Sequence, residues 1–476
     1  MNCDRQSPRG TSSTPAPRYS PTLCTGCYRS ELLHTRHLAD NMTEHCEGRC
    51  WPLRTRGSDS AMPGAAAESD AAASRRCRSE ARATAAFLLC AVAGRVATAG
   101  LPIGLVVQAS ADNQPAASTA NTIAIYTAVA ALNSPLIGRL NDRGGAVLGR
   151  YRLGLSLFVL SVFYLSVQTA VDSIGSLVAA AAAGLALPLS GSAWSGAAAK
   201  VLLEPVSHRL RSYDVGSYAA AALAAPLAVG SLAPLLGRHL PLLICAGFAA
   251  VAVIFSSVLK SANGSMDAGP APLHRHLSLP KRHAGTGIWP FLALVLVTMG
   301  IQPIAIALTL NAPFFGARLY GSYGAAGLVL ATLSFGTLLS SLNAHRRILR
   351  RISTLAICGA VVSSAIILPV IRPGWLGIGC LLFIGIGNGL LLVATLARVD
   401  TMFSGRVRFR IFAVTETSRM LAGSAAAWAL GAVSAPPRES VVISALPIVC
   451  TLPLLLSLKL RRREHTTRRP PMPLEE

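Results

Sequence analysis

The sequence predicts an all-α membrane protein, with twelve transmembrane helices arranged as two pseudo-symmetric six-helix bundles. Three observations carry that expectation. Charged residues make up only 13% of the 476 residues and hydrophobic ones 52%, whereas a soluble chain is about a quarter charged. Apolar runs of spanning length recur from Thr84 onward. The arginines and lysines between those runs collect in alternate loops.

The runs cover approximately 84–109, 119–139, 152–171, 174–198, 214–236 and 239–259. Beyond a polar gap they resume at 288–314, 322–342, 352–371, 374–397, 409–433 and 440–460. Each is close to the ~20 residues an α-helix needs to cross a hydrocarbon core of ~30 Å. Pro102, Pro188, Pro226 and Pro303 lie inside runs. Proline is excluded from central strands, but membrane helices tolerate it because neighbouring helices satisfy the freed backbone groups.

One set of loops holds Arg139, Arg143, Arg150 and Arg152, then Lys200, Arg209 and Arg211, and Lys260, Arg275, Lys281 and Arg282 in the central gap. It continues with Arg346, Arg347, Arg350 and Arg351, with Arg398, Arg406, Arg408 and Arg410, and with the basic tail from Lys459. The opposite loops hold only Arg238, Arg318, Arg372 and Arg438. By the positive-inside rule both termini are cytoplasmic, in a cell-membrane protein. The net charge of +22 lacks the interleaved aromatics that stack bases, so no nucleic-acid partner is expected. The expected partners are the lipid bilayer, a small-molecule substrate and protons. The expected oligomeric state is a monomer.

The chain thus divides into a polar leader (1–83), a six-helix bundle (84–259), a cytoplasmic linker (260–287), a second bundle (288–460) and a basic tail (461–476). Two six-helix halves joined by a polar linker are associated with alternating access. The loop "PLIGRLNDRGGAVLGRYRLG" at 135–154 narrows this further. Gly138-x-x-x-Asp142-Arg143-x-Gly145 resembles the signature loop of the major facilitator superfamily, and "LNAHRRILRR" from Leu342 is its degenerate echo in the second half. The resemblance spans about 84–460. It implies a secondary transporter rather than an enzyme, with Asp142 and Arg143 latching the two halves on the cytoplasmic side. The family usually continues with a basic pair after the last glycine. Here Ala146 and Val147 follow, and the arginines wait until Arg150 and Arg152.

Ionisable groups at depth cost several kcal/mol and mark a pathway or a partner. Arg95 lies 11 residues past Thr84, about 16 Å along a helix. Its guanidinium stays charged, so it is expected to attract a carboxylate, a phosphate or a sugar hydroxyl, or to balance Glu416. Glu416 and Arg419 stand at i and i+3 in the eleventh run and can neutralise one another. A carboxylic acid in a low-dielectric cavity can load and unload protons, which makes Glu416 the proton-coupling candidate. A self-satisfied ion pair that fixes packing is the plainer alternative. Asp214 opens the fifth run as a helix-start acid. Asn133, Gln168, Gln302, Asn311 and Asn388 are candidates to finish a cavity, or to bond between helices. Trp194 and Trp428 lie near helix ends and read as interfacial anchors.

Exporters of the superfamily often carry Gly-Pro-x-x-Gly-Gly in the fifth helix. The run "ALAAPLAVGSLAPLLG" keeps Pro226 and reduces the glycines to Gly230. No Walker P-loop is present, so ATP is not expected as the energy source, and no cofactor is expected. The expected activity is proton-coupled efflux, by antiport, of a neutral or anionic compound. Uptake of a sugar or organic acid is the alternative, and a non-transporting receptor or scaffold of the same fold is the alternative from another class.

The leader contains Cys24, Cys27, Cys46 and Cys50, with His34 and His37 between. The spacing approaches that of a zinc ribbon, but little apolar pattern surrounds it. A dispensable leader, with translation starting at Met62, is the preferred expectation over a metal site. The leader's composition is that of a disordered segment.

Overall fold

The computed structural model describes residues 63–142, 147–168, 170–191, 194, 217–232, 237, 239–262, 289–343, 354–370, 374–402 and 405–467. The chain divides into two compact units, Met1–Arg78 and Ser79–Glu476. The cysteine cluster, Met62 and Asp214 lie outside the described residues.

Among the described residues every regular element is helical. In chain order they are α1 (Pro63–Ala111), α2 (Ala116–Asp142), α3 (Val147–Val167), α4 (Ile174–Ser190) and α5 (Ser217–Ser231). Then come α6 (Leu240–Ala262), α7 (Trp289–Leu310), α8 (Ala312–Tyr320), α9 (Ala326–Asn343) and α10 (Thr354–Ile367). The last three are α11 (Trp375–Met402), α12 (Gly405–Val433) and α13 (Pro437–Thr467). Six stretches are long and apolar enough to cross a membrane, and the bent pair α7–α8 would make a seventh. The chain is an all-α membrane protein.

Oil offers no partner for an exposed N–H or C=O, which is why only closed hydrogen-bonded elements survive there. Side-chain hydroxyls follow the same rule by bonding back to their own helix. Thr127 donates to the Ile123 carbonyl at 2.8 Å, Thr395 to Leu391 at 2.8 Å and Ser444 to Ser440 at 2.7 Å.

Two interruptions have local causes. The seventh apolar run was expected to be continuous over 288–314, but it breaks between α7 and α8 with a bend of 69°. Pro313 has no N–H to continue the ladder. Asn311 occupies the junction, and its side-chain amide donates to the Ala307 carbonyl at 2.9 Å, covering an acceptor of the last turn. The fifth run widens into a π-helix over Pro226–Leu232, beginning at another proline.

Packing is glycine-dependent. α2 packs on α4, α3 on α4 and α6, α9 on α11, and α7 on α12 and α13. The most extensive contacts joining these sets are α2 with α12, and the π-helical stretch with α9. At the second, a Cβ added to Gly230 would sit 2.5 Å from the Gly327 Cα. Gly385 and Gly389 of α11, four residues apart, lie against Leu333 to Ser340 of α9 in the same manner. Close backbone approach substitutes for the hydrophobic drive that lipid cannot provide.

One expectation is corrected. Trp194 is not an interfacial anchor: it is 2% exposed and stacks on Phe87 and Tyr151, with centroids 4.7 and 4.0 Å away. Trp428 is 64% exposed, in keeping with a lipid-facing anchor.

Gly327→Ala is expected to lower the thermal unfolding midpoint of the purified protein, because overpacking a tight contact costs about 1–3 kcal/mol. An unchanged midpoint would show that the α5–α9 contact opens without cost.

Candidate functional site

The site is built on α12. Val414, Leu421 and Trp428 recur at sevens and are exposed, which marks the lipid face. Glu416, Arg419 and Gly423 recur at threes and fours on the opposite face. A Cβ at Gly423 would lie 3.0 Å from Gln302 Cγ, so this face looks toward α7. Between the two faces, Thr417 and Ser424 donate to the Ala131 and Ala124 carbonyls of α2, at 3.3 and 2.8 Å.

Arg419 Nη2 donates to Glu416 Oε1 at 2.6 Å. The pair is partly accessible, at 31% and 29% of the two side chains. Arg419 Nε is buried and has no hydrogen-bond partner among the described residues. The carboxylate therefore engages part of the guanidinium, while the Nε–H is left unbonded beneath the surface.

Arg95 is 3% exposed. Its Nη1 donates to Ser217 Oγ, and its guanidinium lies over the Tyr218 ring, 3.6 Å from the centroid. A cation on an aromatic face at that range is stabilised by about 0.5–2 kcal/mol. One aromatic residue of α5 thus carries the guanidinium from α1. Ser217 and Tyr218 had no signal in the sequence, where they read as ordinary polar residues at a helix start.

The remaining candidates are distributed. Gln302 shares the α7–α12 seam with the ion pair. Asn133 donates to the Leu185 carbonyl of α4 at 3.2 Å. Gln168 follows the end of α3, and its carbonyl accepts from Gln108 Nε2 at 3.2 Å. Asn388 is half-buried between Gly387, against Val361, and Gly389, against Ser340. Asn311 lines a cavity of about 210 Å³ at the α7–α8 bend, together with Val106, Ser110, Gln114, Thr119 and Tyr323. Of the loop resembling the family signature, Gly138 sits on α2 with its Cβ direction 3.8 Å from Ala413 of α12. Asp142 is the last residue of α2. The Asp142 side chain, Arg143 and Gly145 lie outside the described residues.

No protein-family model matches the sequence, and no curated protein does. Solved structures match the fold. A POT family transporter in complex with a thioalcohol-conjugated peptide superposes with a TM-score of 0.61 at 13% identity, over 80% of this chain and 96% of its own. A D-xylose-proton symporter gives 0.60 at 13%, over 78% and 96%. That is the major facilitator fold. A point mutant of the nucleoside transporter NupG gives 0.57 at 12%, over 79% and 99%. At these identities the likeness concerns the fold, so the positions of Glu416, Arg419, Arg95 and Tyr218 are argued from this chain alone.

The α2–α12 seam offers a direct check on this geometry. A Cβ at Gly431 would lie 3.0 Å from the Ala120 Cβ, within about 1 Å of the separation a disulfide requires. The double variant Ala120→Cys/Gly431→Cys is expected to cross-link on mild oxidation, read as a mobility shift reversed by reductant. Failure to cross-link would contradict the seam.

Proposed function

We propose that the chain is a secondary active transporter that moves a small molecule by alternating access, coupled to protons at Glu416. Twelve membrane helices in two six-helix bundles, 84–259 and 288–460, rock about the α2–α12 and α5–α9 contacts. Gly138, Asp142, Arg143 and Gly145 form the latch at one end. The protein works as a monomer in the cell membrane with both termini in the cytoplasm. The observation that carries this proposal is the partly accessible Glu416–Arg419 pair, on the face of α12 turned away from lipid.

The chemistry follows from the pair. An ionised Glu416 is neutralised by Arg419 2.6 Å away. On protonation the acid loses its charge and the guanidinium loses its counter-ion, which changes the charge of the site by one unit. Only an interaction that differs between the two protonation states can bias the two conformations. Arg95, held by Ser217 and Tyr218, keeps a fixed positive charge in the interior. Efflux by proton exchange requires proton and cargo to compete, whereas co-transport requires them to bind together. The charge of the cargo decides between the two.

Expression of the chain is expected to shift at least one metabolite across the cell membrane in an untargeted comparison, and a protonophore should abolish that shift. Glu416→Gln, at equal membrane abundance, should lose the shift. The same protonophore-sensitive shift in Glu416→Gln would remove Glu416 from the coupling. A wild-type chain that shifts nothing would favour a receptor or scaffold.

A further inference from the structure

We propose that the cargo site takes an organic monoanion, a carboxylate, which replaces Glu416 as the partner of Arg419 when Glu416 is protonated, so that proton and anion bind together. The proposal rests on the assignment of Glu416 as the proton-carrying group and adds the cargo class and the sign of the coupling.

Two features point this way. First, Arg419 is a fork with one arm occupied: Nη2 is on Glu416, and Nε is buried without a hydrogen-bond partner among the described residues. A planar guanidinium matches a carboxylate bidentately, and such pairs are among the stronger hydrogen bonds available to a protein. Second, the pair is about one-third exposed on the face away from lipid, so a soluble ligand can reach it.

The charge balance then fixes the sign. With Glu416 ionised the pair is neutral, and an incoming carboxylate must displace Glu416 from Arg419 or sit beside it. Two carboxylates sharing one guanidinium repel each other. With Glu416 protonated the pair is one unit positive and the repulsion is gone. Proton binding therefore strengthens anion binding, and by reciprocity the bound anion favours the protonated acid. A cationic or neutral cargo would gain nothing from the exchange.

Other titrating groups near the pair are few. Of the helices packed on α12, α7 has no titratable side chain. α2 contributes Tyr126, whose hydroxyl donates away to the Thr98 carbonyl at 2.9 Å, and Arg139 in its last turn. α11 contributes Cys380. Its Arg398 and Asp400, like Arg406, Arg408 and Arg410 of α12 and Asp142 of α2, have side chains outside the described residues.

The coupling also bears on the direction of linkage. An anionic cargo with this pair gives co-transport, in place of the antiport that efflux by proton exchange requires.

The test uses the purified full-length chain and measures binding by thermal shift and by equilibrium dialysis at pH 5.5 and 7.5. The probes are lactate and benzoate, both ionised at either pH, with lactamide and benzamide as neutral counterparts. At least one carboxylate is expected to bind about tenfold more tightly at pH 5.5 than at 7.5, a typical size for a coupling of this kind. Its amide should not bind. Glu416→Gln, which imitates the protonated acid, should bind the carboxylate equally at both pH values, and Arg419→Ala should lose it. Amides binding as well as carboxylates, or carboxylates binding more tightly at pH 7.5, would overturn the anion assignment and leave Glu416 as the proton carrier. A pH dependence that persists in Glu416→Gln would overturn both. No binding of either carboxylate to wild type at pH 5.5 would overturn the anion assignment, and this reading of wild type stands even if the variants fail to fold.

Discussion

The constraint behind the whole molecule is the cost of a polar group in oil. It forces the described chain into helices, turns threonine and serine hydroxyls back onto their own turns, and confines most charge to the ends of apolar runs. It also explains why packing depends on glycine. Where lipid tails are as apolar as leucine, two helices associate through close backbone approach, as Gly230 and Gly327 do and as Gly385 and Gly389 do against α9. Against that background, three buried or half-buried charges in the interior are expensive, and each is accounted for by a named partner.

Those charges form a related group. Glu416 and Arg419 neutralise one another on one helix, and Arg95 is balanced by an aromatic face and a hydroxyl from another. The contrast between them has functional meaning. Arg95 is sealed at 3% exposure, while the ion pair keeps about a third of its surface open. A sealed charge sets a constant field, and an accessible acid–base pair can change state.

Much of the fold was legible in the sequence because its signals are long and redundant. Apolar runs of spanning length and alternating loop charge do not depend on any one residue. The pair at 416 and 419 was legible too, because a spacing of three within a helix is a local property. What escaped was either tertiary or a matter of a single turn. Trp194 stands close to the end of its apolar run and so resembled an anchor, yet Phe87 and Tyr151, far away in sequence, close over it. The break at Asn311 was hidden because Pro313 falls near the end of an apolar run that hydropathy alone treats as continuous. Tyr218 carried no pattern, since its meaning comes from Arg95, more than a hundred residues earlier.

The central claim is that α12 turns Glu416 and Arg419 away from lipid, where water reaches them, and Val414, Leu421 and Trp428 toward lipid. In a cysteine-free background, single cysteines at these five positions can be treated in intact membranes with a water-soluble, charged thiol reagent. The account predicts rapid labelling at 416 and 419 and little at 414, 421 and 428. Labelling at the second set with protection of the first would contradict it.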